Sequence, residues 1–299
     1  MCSGVFVVLV VISLFATAGC ARSSGRAIGS DEIQSNELRR IVSASPANTE
    51  IITGLDMGGF LIAVDRHSRG IPGVPAGLPE IDFFYPDTEA IIGLEPELII
   101  VGEVNTFGVA NNPFRLLGDM GIRVVQVPTS VSIEGIYGDI ILIAEALGVK
   151  DRGEALVEYM KGQIEDIAAG VDPGAERRSV YFEISDAPTL VTFDQGAYLN
   201  EMVEIAGGRN IFADQRGWFS PSAEEIINRN PDIILALAYP GEDPVTEIKS
   251  RRAFESIVAL RENQVYAIDA DSASRPSQNI LLAFRQIAQA IHTPVQPSP

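Results

Sequence analysis

The stretch EAIIGLEPELIIV, Glu89 to Val101, is written again as EEIINRNPDIILA from Glu224 to Ala236. The copies align at an offset of 224 − 89 = 135, with identity at Glu89/Glu224, Ile91/Ile226, Ile92/Ile227, Pro96/Pro231 and Ile99/Ile234. Each is an acidic helix start behind a cap-like pair (Asp87-Thr88, Ser222-Ala223), two apolar turns, a proline that ends the helix, and an apolar strand. One such match is ordinary β-α-β grammar. Two copies flanking a long helical pattern predict two lobes of like topology. In open α/β sheets ligands bind beyond the carboxyl ends of strands, so two facing lobes define one cleft.

Outward from the repeat, short β-branched runs alternate with amphipathic stretches. The strands read Ile41–Ala44, Leu61–Val64, Leu98–Val101 and Arg123–Val127, with helices near Asn48–Leu55, Thr88–Leu94 and Pro113–Met120. A second series reads Val180–Ile184, Ile233–Leu237 and Val265–Ile268, with helices near Leu199–Ala206, Ala223–Asn228 and Ile280–Ile291. Such alternation predicts α/β lobes with mainly parallel sheets. Between the series, Leu156, Tyr159, Met160, Ile164, Ile167 and Ala168 follow three-four spacing. That pattern predicts one long helix over 151–170, an interlobe strut or an ordinary covering helix, between an N-terminal lobe (38–150) and a C-terminal lobe (178–292). A disordered tail is expected at 293–299.

Composition removes other classes. The 299 residues are 46% hydrophobic and 21% charged, the balance of a globular protein. Forty acidic against 22 basic side chains give a formal −18, a surface that repels nucleic acid and anionic lipid headgroups. Two His (His67, His292) and two Cys (Cys2, Cys20) are too few for a resident zinc site of several such ligands, and both thiols lie in the first twenty residues. There is no G-x-S-x-G, H-E-x-x-H, C-x-x-C, Walker loop or G-x-G-x-x-G, which disfavours an extracytoplasmic hydrolase.

The N-terminus addresses the compartment. Val5 to Ala16 is almost wholly apolar and ends in Thr17-Ala18-Gly19 before Cys20. It is shorter than the roughly 20 apolar residues a bilayer core asks for, and fits a secretory signal over 1–19. The small residues before Cys20 resemble a bacterial lipobox, in which the Cys is lipidated, although Thr17 stands where Leu is usual; a plain cleaved signal or an uncleaved anchor is the competing reading. The polar stretch over 20–37 reads as a flexible tether.

RIVSASPANTEIITGLDMG (Arg40–Gly58), LPEIDFFYPDTEAIIGLEPELIIV (Leu78–Val101) and GIRVVQVP (Gly121–Pro128) resemble the N-lobe of the helical-backbone solute-binding proteins of ABC importers. SVYFEIS (Ser179–Ser185), NEMVEIAGGRNIFAD (Asn200–Asp214), SAEEIINRNPDIIL (Ser222–Leu235), ENQVYAID (Glu262–Asp269) and Arg275-Pro276 agree with the C-lobe. The resemblance implies two α/β lobes joined by one long helix, and capture without chemistry of cobalamin, haem or an iron–siderophore complex. It implies delivery to a homodimeric permease with its ATPase subunits, no cofactor of the protein's own, and a monomer. A structural surface lipoprotein, which needs no apolar cleft, is the remaining alternative.

Candidate residues follow. Glu89 and Glu224 hold corresponding positions; acids in a first helical turn also complement the macrodipole for about 0.3–1 kcal/mol. The resemblance implies that they dock on permease arginines. Glu225, three residues after Ser222, reads instead as half of a capping box. Ser45, Pro46 and Asn48 follow the first strand, where capping or a ligand oxygen would employ the same free N–H groups. Phe83, Phe84 and Tyr85 precede the first repeat, and Trp218 and Phe219 the second, a loop arrangement suited to clamping a flat ring; burial in the core is the plainer reading of Trp218. Asp271 and Arg275 sit in a polar stretch after the last strand. No metal site of the protein's own is expected; His67 and Tyr85 are the candidates to reach a metal inside the cargo. A trianionic siderophore would need Arg66, Arg69, Arg216 and Arg275 to gather in the cleft.

Overall fold

The computed structural model describes residues 39–82, 84–103, 113–186 and 188–294. The N-terminal half is a five-stranded parallel sheet, ordered β3-β2-β1-β4-β5, from β1 (Ile41–Ser43), β2 (Leu61–Asp65), β3 (Glu80–Ile81), β4 (Leu98–Gly102) and β5 (Arg123–Val127). The connecting helices include α1 (Pro46–Gly54), α2 (Thr88–Gly93) and α3 (Pro113–Asp119). Two longer helices follow, α4 (Ile133–Leu147) and α5 (Lys150–Ala169). The C-terminal half contributes β6 (Ser179–Glu183), β7 (Thr192–Phe193), α6 (Tyr198–Ile205), β8 (Arg209–Asn210), β9 (Trp218–Phe219), α7 (Ala223–Arg229), β10 (Ile233–Ala238), α8 (Pro244–Ser250), α9 (Val258–Arg261), β11 (Val265–Asp269), α10 (Ala270–Ser274) and α11 (Ile280–His292). Its four-stranded parallel sheet runs β11-β10-β6-β8, and β7 and β9 form a separate antiparallel pair.

The repeat is structural as well as written. The order β2-β1-β4-β5 is matched strand for strand by β8-β6-β10-β11. In both copies the residue before the proline turns left-handed: Glu95 at φ 47° before Pro96, Asn230 at φ 45° before Pro231. A residue preceding proline is pushed out of the helical region, so the same clash ends both helices in the same way. The caps correspond too: the Asp87 side chain accepts from Ala90 N, and Ser222 with Glu225 forms a complete capping box. The central strands are covered on both faces, hence the unbroken apolar runs LIIV in β4 and IILA in β10, all buried.

Helix α4 forms without a clear periodic signal in its sequence. Ser132 caps it by accepting from Gly135 N, and Ile133, Ile136, Ile140, Ile143, Ala144 and Leu147 bury one face. Gly135, Gly138 and a nearly continuous apolar run obscure that periodicity in the sequence. Gly148, at φ 75°, closes α4 and allows the immediate turn into α5. The two helices approach closely where Gly153 faces the Ala144 methyl, leaving no room for a side chain at 153. The 20 residues of α5, about 30 Å at 1.5 Å per residue, begin one residue before the expected 151. Arg152 donates to Leu55 O (3.0 Å) near one end of α5, and Gln163 accepts from Arg285 of α11 near the other. One apolar core runs from Ile41 and Leu98 through α4 and α5 to Phe182 and Phe284, so the strut is packed into both lobes.

Candidate functional site

The carboxyl ends of the two sheets meet across one buried ion pair. Glu50, one turn into α1 behind β1, accepts from Arg275 Nη1 (3.0 Å), which lies just past α10 behind β11. Glu50 also accepts from Ser277 Oγ, and its backbone carbonyl from Gln278 Nε2 (2.8 Å). Arg275 completes the bridge with Asp271 (2.7 Å). Removing either member of such a pair strands the other charge in the interior, so the bridge holds the lobes in register. Arg275 is therefore committed to this bridge, as is Asp271 in part. Glu50 was missed in the sequence because an acid at the fifth position of a short helix looks like solvent-facing charge. The polar stretch expected after the last strand is in part α10, capped by Asp269 accepting from Ser272 N.

Around this bridge each lobe presents side chains at its strand ends. Ser45 stands at the extended N-cap of α1 without a side-chain cap bond, and Pro46 opens the helix. Asn48 is buried in the first turn with no partner for Nδ2 among the described residues. Beneath them Ser68 Oγ donates to Thr49 Oγ1 (3.0 Å), which donates to Ser43 Oγ (2.8 Å), tying the loop after β2 to the base of α1. His67 N donates to buried Asp65, and the His67 side chain is exposed.

Phe84 and Tyr85 are 61% and 85% exposed. Their backbone N–H groups donate to Asp82 Oδ1 (2.9 and 3.0 Å), and the Asp82 carboxylate pairs with Arg66 (3.0 Å). Those N–H donors, Tyr85 before Phe84, hold the Asp82 carboxyl below its ordinary range, with Arg66 adding to the effect. Phe83 lies outside the described residues, as do Cys20, the 1–19 signal, the 20–37 tether and 295–299.

In the other lobe Trp218 is 56% exposed, not core. It lies in β9 rather than on a loop, because Trp218 and Phe219 pair with Phe193 and Thr192 of β7. Its ring meets Phe193 edge-on at 5.7 Å, and fully buried Phe193 meets Phe182 at 5.4 Å. Such pairs contribute about 0.5–1.5 kcal/mol each beyond area burial. Phe219 turns inward onto Phe212 (5.3 Å), itself covered by the Arg229 guanidinium at 4.6 Å. Asp194 accepts from Gly196 N and Gly217 N, pinning one end of the β7–β9 pair just before Trp218.

A crevice of about 480 Å³ opens at the carboxyl ends of β6 and β10, lined by Asp186, Tyr239, Glu242, Asp243 and Glu247 among others. Below it Arg251 grips buried Glu183 through both carboxylate oxygens (2.7 Å each) and pairs with Glu247. Burial works against the Arg251 charge, but the two carboxylates outweigh it and raise its pKa. Tyr239 and this crevice carry no motif and were not anticipated; only the position of a Tyr just past an apolar strand hints at them.

Glu89 and Glu224 are exposed in the first turns of α2 and α7, and neither makes a hydrogen bond or ion pair among the described residues. Among those residues no group of three or more His, Cys, Asp and Glu side chains is arranged for a metal, and no helix is long and apolar enough to cross a membrane.

Two like-ordered parallel lobes around a bridged cleft match a known architecture, and a model of the periplasmic binding proteins covers residues 41–272. The chain belongs to that family. It is thus a binding protein of an extracytoplasmic, non-enzymatic class. Among its relatives is an uncharacterized ABC transporter substrate-binding lipoprotein, YvrC, of Bacillus subtilis, 28% identical over 86% of this chain and 81% of that one. The vitamin B12-binding protein of Vibrio campbellii is 25% identical over 85% of this chain and 90% of its own length. A solved structure described as a possible iron-binding, periplasmic solute-binding protein of Staphylococcus epidermidis aligns with a TM-score of 0.75 at 28% identity, covering 86% of this chain and all of that one. The resemblance seen in the sequence thus holds, and so does the two-lobe α/β fold.

Proposed function

We propose that this periplasmic binding protein is the substrate-binding lipoprotein of an ABC importer, capturing cobalamin, haem or an iron–siderophore complex and performing no chemistry on it. The observation that carries this reading is the pair of exposed aromatic groups, Phe84-Tyr85 and Trp218, one in each lobe and each just ahead of an unpaired first-turn glutamate. Flat, partly apolar rings suit a macrocycle or an aromatic chelate. The names borne by relatives support the same class of cargo. Ser45, Pro46 and Asn48 supply polar contacts at the N-terminus of α1, while Arg275 acts mainly through the interlobe bridge. His67 or Tyr85 is the candidate to touch a metal within the cargo.

Delivery runs through Glu89 and Glu224 to a permease dimer and its ATPase subunits, with Cys20 lipidated and the 1–19 signal removed. The tether over 20–37 and the monomeric state belong to the same reading, as do the lobe limits at 38–150 and 178–292. Closure is modest because α5 is packed into both lobes.

Titrating candidate cargoes while following emission of Trp218, the sole Trp, tests capture. Quenching is expected for the true cargo; a tight cargo found by calorimetry that left the emission unchanged removes Trp218 from the cleft. Docking is tested by ATPase stimulation in reconstituted membranes. Stripping both glutamates to Ala is expected to abolish it, since truncating one partner of a desolvated charge pair costs about 2–5 kcal/mol of complex affinity. The capping-box control Glu225→Ala should lower stability modestly and leave stimulation intact. Normal stimulation by the double variant would return Glu89 and Glu224 to a role in helix starts alone.

A further inference from the structure

We infer that the cargo is an uncharged or cationic chelate bearing N–H donors, and that this cleft excludes polyanionic chelates; the inference rests on the reading of the chain as a chelate or macrocycle carrier. Recognition of a polyanion needs cations with charge to spare. Of the four arginines at the strand-end loops, Arg66 is paired with Asp82, Arg69 with Glu80, and Arg275 with both Glu50 and Asp271. Only Arg216 of the four makes no ion pair among the described residues. In the C-terminal crevice the balance is reversed. Asp186, Glu242, Asp243 and Glu247 line it, and Arg251 beneath them is already shared between buried Glu183 and Glu247.

These carboxylates are acceptors. Asp243 spends one oxygen on Thr246 N and Glu242 one on Tyr239 N, and Asp186 has no partner among the described residues. A ligand carboxamide or amine donating N–H groups would meet acceptors, and a ligand carboxylate or catecholate would meet like charge from the exposed Asp186, Glu242 and Asp243, a repulsion that salt screens. The aromatic platforms add ring contact without regard to sign. At the start of α1 in the other lobe, buried Asn48 Nδ2 has no partner among the described residues and is a donor suited to a carbonyl, which a carboxamide also carries.

The test is competitive and uses the mature chain with Trp218 emission and calorimetry as independent readouts. Three probes are compared at low ionic strength: cyanocobalamin, uncharged overall and rich in carboxamides; haemin, with two carboxylates; and a ferric tris-catecholate, a trianion. The uncharged probe should bind at least about tenfold more tightly than either anion, a margin of one decade in Kd. Raising the salt concentration should narrow the gap by strengthening only the anions. Asp186→Asn combined with Glu242→Gln should also narrow it, by weakening the uncharged probe and admitting the trianion. Tighter or equal binding of an anion, or a gap that ignores both salt and the double substitution, overturns the inference while leaving the carrier reading in place. Binding of none of the three overturns the carrier reading, and the inference with it.

Discussion

Trp218 and Tyr85 occupy comparable places, each a few residues ahead of an exposed first-turn glutamate, but the protein holds them differently. Trp218 stands on a column of rings, Phe193 and then Phe182, that reaches the centre of the C-terminal sheet, and Asp194 ties the backbone just before it through Gly217 N. Tyr85 hangs from one carboxylate turn, with Asp82 accepting from its N–H and that of Phe84. The buried acids repeat the contrast. Glu183 is matched by a two-pronged Arg251, whereas Asp139 of α4 has, among the described residues, only the Ser130 hydroxyl, which donates to Oδ2 at 2.6 Å. One half of the molecule sets its exposed aromatic ring on a packed column, and the other presents Tyr85 on a single carboxylate-held turn. That division suits a carrier that must admit a bulky cargo and still hold it, since preorganising one face reduces the ordering cost of binding.

The contrast breaks hardest at Phe193. Phe193→Ala removes a fully buried ring from under Trp218, and substitutions of that kind cost about 3–5 kcal/mol. Urea denaturation should show that loss, and Trp218 emission in the native variant should shift to the red as the ring loses its support. Unchanged emission would mean that the strand pair alone positions Trp218.

Asp139 gives the next largest effect. Burial pushes its carboxyl up to about 6, opposed by the Ser130 hydrogen bond. The folded pKa exceeds the ordinary 3.8, so the folded state holds a proton that the unfolded chain releases. Stability from this group is complete below about pH 4, falls as pH rises to about 6, and is flat above. The loss amounts to between about 1 and 3 kcal/mol, the lower figure allowing for solvent screening at the carboxyl edge. Asp139→Asn keeps an acceptor for Ser130, should flatten that limb of the Tm-versus-pH curve, and should be more stable than the parent at pH 7. A slope unchanged in the variant assigns the pH dependence to another acid.

A smaller effect is expected at Asp82. Asp82→Ala frees the Phe84 and Tyr85 N–H groups, so their hydrogen exchange should accelerate while that of the β7–β9 pair does not. Equal acceleration in both places would show the two aromatic groups to be coupled, and the contrast between the lobes would fail.

The sequence announced the fold wherever its signals were local and repeated. The Pro96/Pro231 repeat placed α2, β4, α7 and β10, and Ser222 with Glu225 forecast the capping box that is present. What it hid were partnerships across long separations. Glu50 and Arg275 are 225 positions apart, and nothing near either residue marks the bridge. The column under Trp218 depends on Phe182 and Phe193, which read only as ordinary strand residues. Helix α4 was obscured for a different reason: its exposed face is short of charge, so little contrast marks its buried side. The crevice at Tyr239 exists only because β6 and β10 lie side by side.

The smallest effect is the one that defines the free side of the comparison. Tyr85 is almost wholly in solvent, and no ring contact supports it among the described residues. Tyr85→Ala should therefore change unfolding free energy by less than about 0.5 kcal/mol, the usual range for a surface site without such features. If the ring adapts to cargo, the same variant should still weaken capture, and the loss should lie in a faster dissociation rate, because association is governed by encounter and not by one flexible side chain. Stopped-flow measurement of Trp218 quenching separates the two rates, and chemical denaturation supplies the stability. A large stability loss would mean that Tyr85 is a packed element of the N-terminal lobe after all. Unchanged stability together with unchanged dissociation would leave Tyr85 outside the site and concentrate ring recognition on Trp218.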